Sequence, residues 1–114
     1  MRLISGRWLV LAVLLVAAAD VLYAGQIYGT IVMGGQGVKD ATVEIKCGQE
    51  AAVSGATAAD GTYRINVPQQ GQCSLALPSY EGRPTASIFS SPNPSLYNFE
   101  LTKLADGKYE LKRR

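Results

Sequence analysis

The sequence predicts an all-β fold: an antiparallel Greek-key β-sandwich of seven or eight strands, preceded by an N-terminal signal helix. Three observations predict it. Beyond residue 24 the apolar residues recur with period two, turn residues separate these runs at intervals of about 8–12 positions, and no stretch there carries the period of an amphipathic helix. The chain has 114 residues, 47% of them hydrophobic and 18% charged. That is enough for one small core and too apolar for a disordered chain.

Residues 1–24 read as a unit of their own. Arg2 and Arg7 precede an unbroken apolar run from Trp8 to Ala19, and Asp20 ends it. A basic start followed by a short apolar stretch is the pattern of a secretory signal, and the run falls short of the roughly 20 residues a spanning helix needs. Leu22-Tyr23-Ala24 places a small residue at the last position of a cleavage site, although Leu22 is larger than usual there. The expectation is cleavage after Ala24, leaving a domain at 25–114 that is exported, periplasmic or secreted. The alternative is an uncleaved N-terminal anchor, the one route by which this chain would touch a membrane. No cysteine follows the apolar run to accept a lipid.

The strands follow in order. Gln26–Met33 is the first, and Gly34-Gly35-Gln36-Gly37 turns the chain. Ala41–Cys47 alternates cleanly, with Ala41, Val43, Ile45 and Cys47 on one face and Thr42, Glu44 and Lys46 on the other. Ala51–Ala58 is weaker because Gly55 interrupts it. Asp60-Gly61 is a turn signal, after which Thr62–Val67 points Tyr63, Ile65 and Val67 inward until Pro68. Gln72–Pro78 sets Cys73, Leu75 and Leu77 on one face. Residues 79–95 hold Pro84, Pro92 and Pro94 among serines and form the most loop-like stretch, with room only for a short strand at Thr85–Ser90. Leu96–Leu101 then points Tyr97, Phe99 and Leu101 inward, and Asp106-Gly107 turns the chain into a last strand, Lys108–Lys112.

Cys47 and Cys73 are the two cysteines, each on the apolar phase of its own strand. In an oxidising compartment an even count reads as one disulfide, which for a loop of this length contributes about 3 kcal/mol. The alternatives are two buried free thiols or a metal site, though two cysteines without histidine do not fill a zinc shell.

Charge and composition exclude several functions. Net charge is +2, and without residues 1–24 nine basic side chains face eight acidic ones. Such near-neutrality argues against nucleic acid as a partner. The chain has no histidine, so the commonest general base and a common metal ligand are missing. Asp60 could be read as a calcium or catalytic carboxylate, but its neighbours Gly61 and Thr62 make it a turn former, and the nearest other acid in sequence is Glu50. No carboxylate pair and no nucleophile–base pair stands out. The expectation is a non-enzymatic protein with no cofactor.

The order of elements resembles the carboxypeptidase regulatory-like domain, a small prealbumin-like (transthyretin-like) sandwich. The residues that carry the resemblance are Gly25–Ile31, Val38–Ile45, Ala58–Val67 and Gly71-Gln72-Cys73. They match a first strand, a Gly-Ala-Thr-Val-like second strand, an Asp-Gly-x-Tyr turn and a Gly-x-Cys strand, with Asp40 standing where that family often has glycine. The match is good over residues 25–77 and loose beyond them. It implies a fold and a habit, that of a non-catalytic appendage or stand-alone exported module, and no substrate. Hydrolases of the transthyretin-like group rely on histidines that this chain lacks. The Lys–Asn crosslink of related adhesin sandwiches is not expected either, since the first strand has no lysine and Asn98 lies on the outward phase.

Recognition is expected from residues left over by the core. The one tryptophan, Trp8, belongs to the signal. Tyr28 falls on the outward phase of the first strand, and Tyr80 lies in the proline-rich loop with Arg83 three residues on. Loops held on a rigid sandwich often carry recognition, so Tyr80 and Arg83 are the candidate binding residues. The basic end, Lys108, Lys112, Arg113 and Arg114, reads as an edge strand protected by lysine rather than as a polymer site. The leading expectation is an accessory or protein-binding module for another envelope or secreted protein. The alternative is a carbohydrate or cell-envelope polymer binding module using Tyr80 and Arg83.

Overall fold

The computed structural model describes residues 25–114, so the signal helix and its cleavage site lie outside the described residues. Ten strands follow in order: β1 (Gly25–Met33), β2 (Gln36–Gly37), β3 (Thr42–Lys46), β4 (Val53–Ala56), β5 (Thr62–Val67), β6 (Gly71–Ala76), β7 (Thr85–Ser90), β8 (Ser95–Leu96), β9 (Phe99–Lys103) and β10 (Tyr109–Arg113). No helix occurs among the described residues.

The strands form two sheets. Sheet I runs β10-β9-β1, and β1 divides its edges among several partners: β5 and β2 antiparallel on one side, β8 and β9 parallel on the other. Sheet II runs β4-β3-β6-β7, antiparallel throughout. Alternation fixes which side chains meet between the sheets. Ile27, Ile31, Phe99 and Leu101 of sheet I close on Val43, Ile45 and Leu75 of sheet II, all of them buried.

Turn chemistry explains the corners. Gly34 and Gly35 have φ of +60° and +83°, the left-handed pair that a two-residue hairpin between Met33 and Gln36 requires. At the next corner the Asp60 carboxylate accepts hydrogen bonds from the Thr62 backbone N–H (3.1 Å) and hydroxyl (2.7 Å). Gly61, at φ +88°, passes so close to β1 that a Cβ there would stand 2.5 Å from the Ile31 carbonyl oxygen.

Several sequence expectations need correction. The strands number ten, because β2 and β8 are two residues each, too short for any periodicity to register. The sandwich is not purely antiparallel, since β8 and β9 pair with β1 in parallel. Thr85–Ser90, by contrast, is the short strand that the sequence allows there, with six register pairs to β6. The run Leu96–Leu101 is broken: Tyr97 and Asn98 leave the ladder between β8 and β9, and Tyr97 is only half-buried. The weak run at Ala51–Ala58 shortens to Val53–Ala56.

The break is made good by a side chain. Asn98 Oδ1 accepts the Thr30 backbone N–H at 2.9 Å where a strand carbonyl would have stood. The Tyr97 N–H still donates to the Tyr28 carbonyl (2.8 Å), and the Tyr97 carbonyl accepts the Tyr63 hydroxyl (2.6 Å). That carbonyl occupies the place of a side chain at position 29, where a Cβ would lie 1.9 Å from its oxygen.

Cys47 and Cys73 are bonded. The β3–β6 register ends at Lys46↔Ser74, so the next pair outward is the disulfide itself, with Cα atoms 4.2 Å apart. It therefore joins neighbouring strands of one sheet, with both cysteines buried. The segment it encloses contains β4 and β5, and with them the passage to sheet I and back.

Two outcomes follow for stability. The double Cys47→Ser, Cys73→Ser variant should lose about 3 kcal/mol relative to the oxidised protein, and equal denaturant midpoints would refute a structural disulfide. Gly29→Ala should cost at least about 3 kcal/mol, because a backbone carbonyl must move to admit one methyl. A variant that melts with the parent would show that β1 and Tyr97 are not so closely apposed.

Candidate functional site

The loop singled out from sequence is tightly folded. The Leu77 N–H donates to the Pro84 carbonyl (3.0 Å), Tyr80 N–H to the Leu77 carbonyl (3.2 Å) and Arg83 N–H to the Tyr80 carbonyl (2.9 Å), giving consecutive tight turns. Gly82 and Arg83 both take positive φ, +86° and +46°. The Tyr109 N–H donates to the Glu81 carbonyl at 2.9 Å and so ties the loop to β10.

Within this loop the two candidate residues take partners on different sheets. Tyr80 is half-buried against the core, which sequence phase had left it out of, and meets Tyr109 edge-on with ring centroids 5.0 Å apart. Arg83 pairs with the Glu44 carboxylate on the outer face of sheet II. Both partners of that ion pair are partly exposed, which limits its contribution to about 0–1 kcal/mol. The two residues close one end of the sandwich and tack it to sheet II.

A second arrangement lies on the outer face of sheet I. Outward side chains of β1 and β5 stand in register as Gln26↔Asn66, Tyr28↔Arg64 and Thr30↔Thr62, and Leu96 of β8 flanks Tyr28 on its other side. Gln26 donates through Nε2 to Asn66 Oδ1 (3.1 Å) and accepts from Arg64 Nη1 (2.8 Å). The Arg64 guanidinium stands 5.3 Å over the Tyr28 ring centroid, within cation–π range. Leu96 is 50% exposed.

An open cleft of ≈ 550 Å³ here is lined by Tyr28, Thr30, Thr62, Arg64 and Leu96, together with Ala56 of β4 and Ala58. Its one formal charge is Arg64. The nearby Asp60 carboxylate is turned onto Thr62, whose hydroxyl and N–H hold its pKa below the ordinary value. Among the described residues no group of three or more histidine, cysteine, aspartate or glutamate side chains is placed to hold a metal ion.

Sequence phase placed Tyr28 outward, and that is where it lies. Arg64 and Leu96 were missed although Arg64 also falls on an outward phase. What joins the three is the register of β1 with β5 and β8, pairings between segments tens of residues apart.

Beneath the cleft, Tyr63 and Tyr97 fix the backbone that supports it. Burial pushes the Tyr63 phenol well above the usual tyrosine range. Tyr97 accepts the Phe89 N–H through its hydroxyl (2.9 Å), stacks beside Phe99, and carries the Arg113 guanidinium 4.5 Å over its ring. A phenol with a raised native pKa contributes stability that is complete below pH ~10 and lost above it, because the unfolded chain ionises first. The unfolding midpoint should therefore fall above about pH 10. Tyr63→Phe should start about 1 kcal/mol lower for the lost hydrogen bond and decline less steeply with alkali. Identical alkaline slopes would refute this role.

No protein-family model and no curated protein matches the chain. Among solved structures it is similar to a DUF3823 family protein from Parabacteroides merdae, with TM-score 0.55 and 12% sequence identity. The likeness covers 79% of this chain and 46% of that one, so the chain spans less than half of its neighbour's length. At that identity the likeness is one of fold alone, an all-β sandwich.

Proposed function

We propose that residues 1–24 are a secretory signal and that residues 25–114 are an exported, non-catalytic β-sandwich module that docks another envelope or secreted protein. The observation that carries this reading is the outer-face cleft of sheet I, where half-buried Tyr28 stands in register between exposed Leu96 and exposed Arg64. A half-buried tyrosine and an exposed leucine beside an exposed arginine have the composition of interface centres. The buried disulfide fits an oxidising compartment. The two-sheet all-β sandwich is compatible with the carboxypeptidase regulatory-like, prealbumin-like reading, which rests on the sequence motifs at Gly25–Ile31, Val38–Ile45 and Ala58–Val67.

Carbohydrate or envelope polymer is the second reading. It is favoured by the planar amides of Gln26 and Asn66 beside Tyr28. Through Tyr80 and Arg83 it has less support, since the Tyr80 ring is packed on Tyr109 and Arg83 is engaged by Glu44. The readings separate by crosslinking in intact cells from a photoreactive residue at position 28, with a parallel probe at position 80. A discrete protein adduct from position 28 is the expected result. Glycan adducts there would favour the polymer reading, and adducts from position 80 alone would move the contact to the loop.

A further inference from the structure

We infer that the outer-face cleft of sheet I takes an extended peptide segment bearing a carboxylate side chain, which Arg64 holds, and an apolar side chain two residues away, which rests against Leu96 and Tyr28. The inference builds on the reading of this cleft as a docking surface and specifies the chemistry of its partner.

Three features of the cleft point to that ligand. The first is charge. Arg64 is exposed, and its hydrogen bond goes to the neutral amide of Gln26. The side-chain ion pairs among the described residues are Arg83–Glu44 and Lys112–Glu110, neither of which involves Arg64. A guanidinium has five N–H donors in a planar fork that matches a carboxylate. Here the fork is braced by the Gln26 bond and the Tyr28 ring, so little side-chain freedom remains to be lost on binding. The cleft walls add no carboxylate to compete.

The second feature is spacing. Leu96, Tyr28 and Arg64 lie on three adjacent strands, so the row spans two interstrand distances, about 9.6 Å. Alternate side chains of an extended peptide project from one face about 6.6–6.8 Å apart. An acidic side chain reaching outward to Arg64 covers the remaining distance while its apolar neighbour sits on Leu96. The peptide would then cross the strands rather than extend the sheet.

The third feature selects a peptide over a saccharide. A sugar ring binds an aromatic by lying flat on its open face. In this cleft Arg64 already stands over the Tyr28 ring, so the side chain supplies an apolar wall and no stacking platform.

The test uses the exported protein and two capped pentapeptides, acetyl-Ser-Leu-Ser-Glu-Ser-amide and its glutamine counterpart, titrated by amide NMR. The glutamate peptide should shift the resonances of Tyr28, Arg64 and Leu96 and bind about tenfold more tightly than the glutamine peptide, as a charge-assisted hydrogen bond predicts. Arg64→Gln should abolish that difference, whereas Arg83→Gln should leave it intact. Leu96→Ser should weaken both peptides alike. If both peptides shift the cleft equally, or Arg64→Gln changes nothing, the carboxylate inference falls while the docking surface stands. If neither peptide moves any resonance of sheet I, or a neutral oligosaccharide moves the same resonances instead, the peptide inference falls together with the cleft's assignment to a protein partner.

Discussion

Strand β1 has to satisfy two edges with four partners, and the rest of sheet I is arranged around that demand. Its first six residues pair with β5 while Ile27 and Tyr28 also pair with β8, and its last residues pair with β9 and β2. Such a strand has neighbours on both of its edges, and the polar backbone groups on it need partners there. Where β8 gives way to β9 the ladder is interrupted, and the Asn98 side chain supplies the missing acceptor. The same interruption brings the Tyr97 carbonyl against the backbone at Gly29, which excludes any larger residue. One glycine and one asparagine, far apart in sequence, therefore settle the same junction.

Much of this fold was legible because it rests on local rules. Alternation in Ala41–Cys47 and Thr62–Val67 gave the inward faces correctly, since a half-buried strand must repeat every two residues. The Gly34-Gly35 and Asp60-Gly61 corners were legible for the same reason, as turn conformations demand particular residues. The cysteines shared the apolar phase, and they do meet. What local rules could not supply is which strands become neighbours. The parallel pairing of β1 with β8 and β9 involves residues more than sixty positions apart. The break at Tyr97-Asn98 is likewise invisible in a sequence that alternates through it.

The candidate site divides along the same line. Tyr80 and Arg83 attracted notice because prolines and serines mark loops, and loops often recognise partners. In the folded chain that segment works as a lid of the sandwich, pinned to β10 by the Glu81 carbonyl and to β3 by Arg83. A second partly exposed surface lies on the flat of sheet I. Tyr28, Arg64 and Leu96 come from three segments, and none carries a signature alone. Rigid strands hold side chains in more exact positions than loops do, so the spacing of Arg64, Tyr28 and Leu96 is set by the sheet itself.

The disulfide has a consequence for biosynthesis. With two cysteines in the chain, only one intramolecular pairing can form. Oxidation within these residues therefore has no wrong partner to choose, and the domain needs an electron acceptor but no reshuffling between its own cysteines to reach this connectivity. Because the bond encloses β4 and β5, closing it also commits the passage between the sheets. The error that remains is between molecules, a linkage whose frequency rises with the concentration of unfinished chains and vanishes when they are dilute.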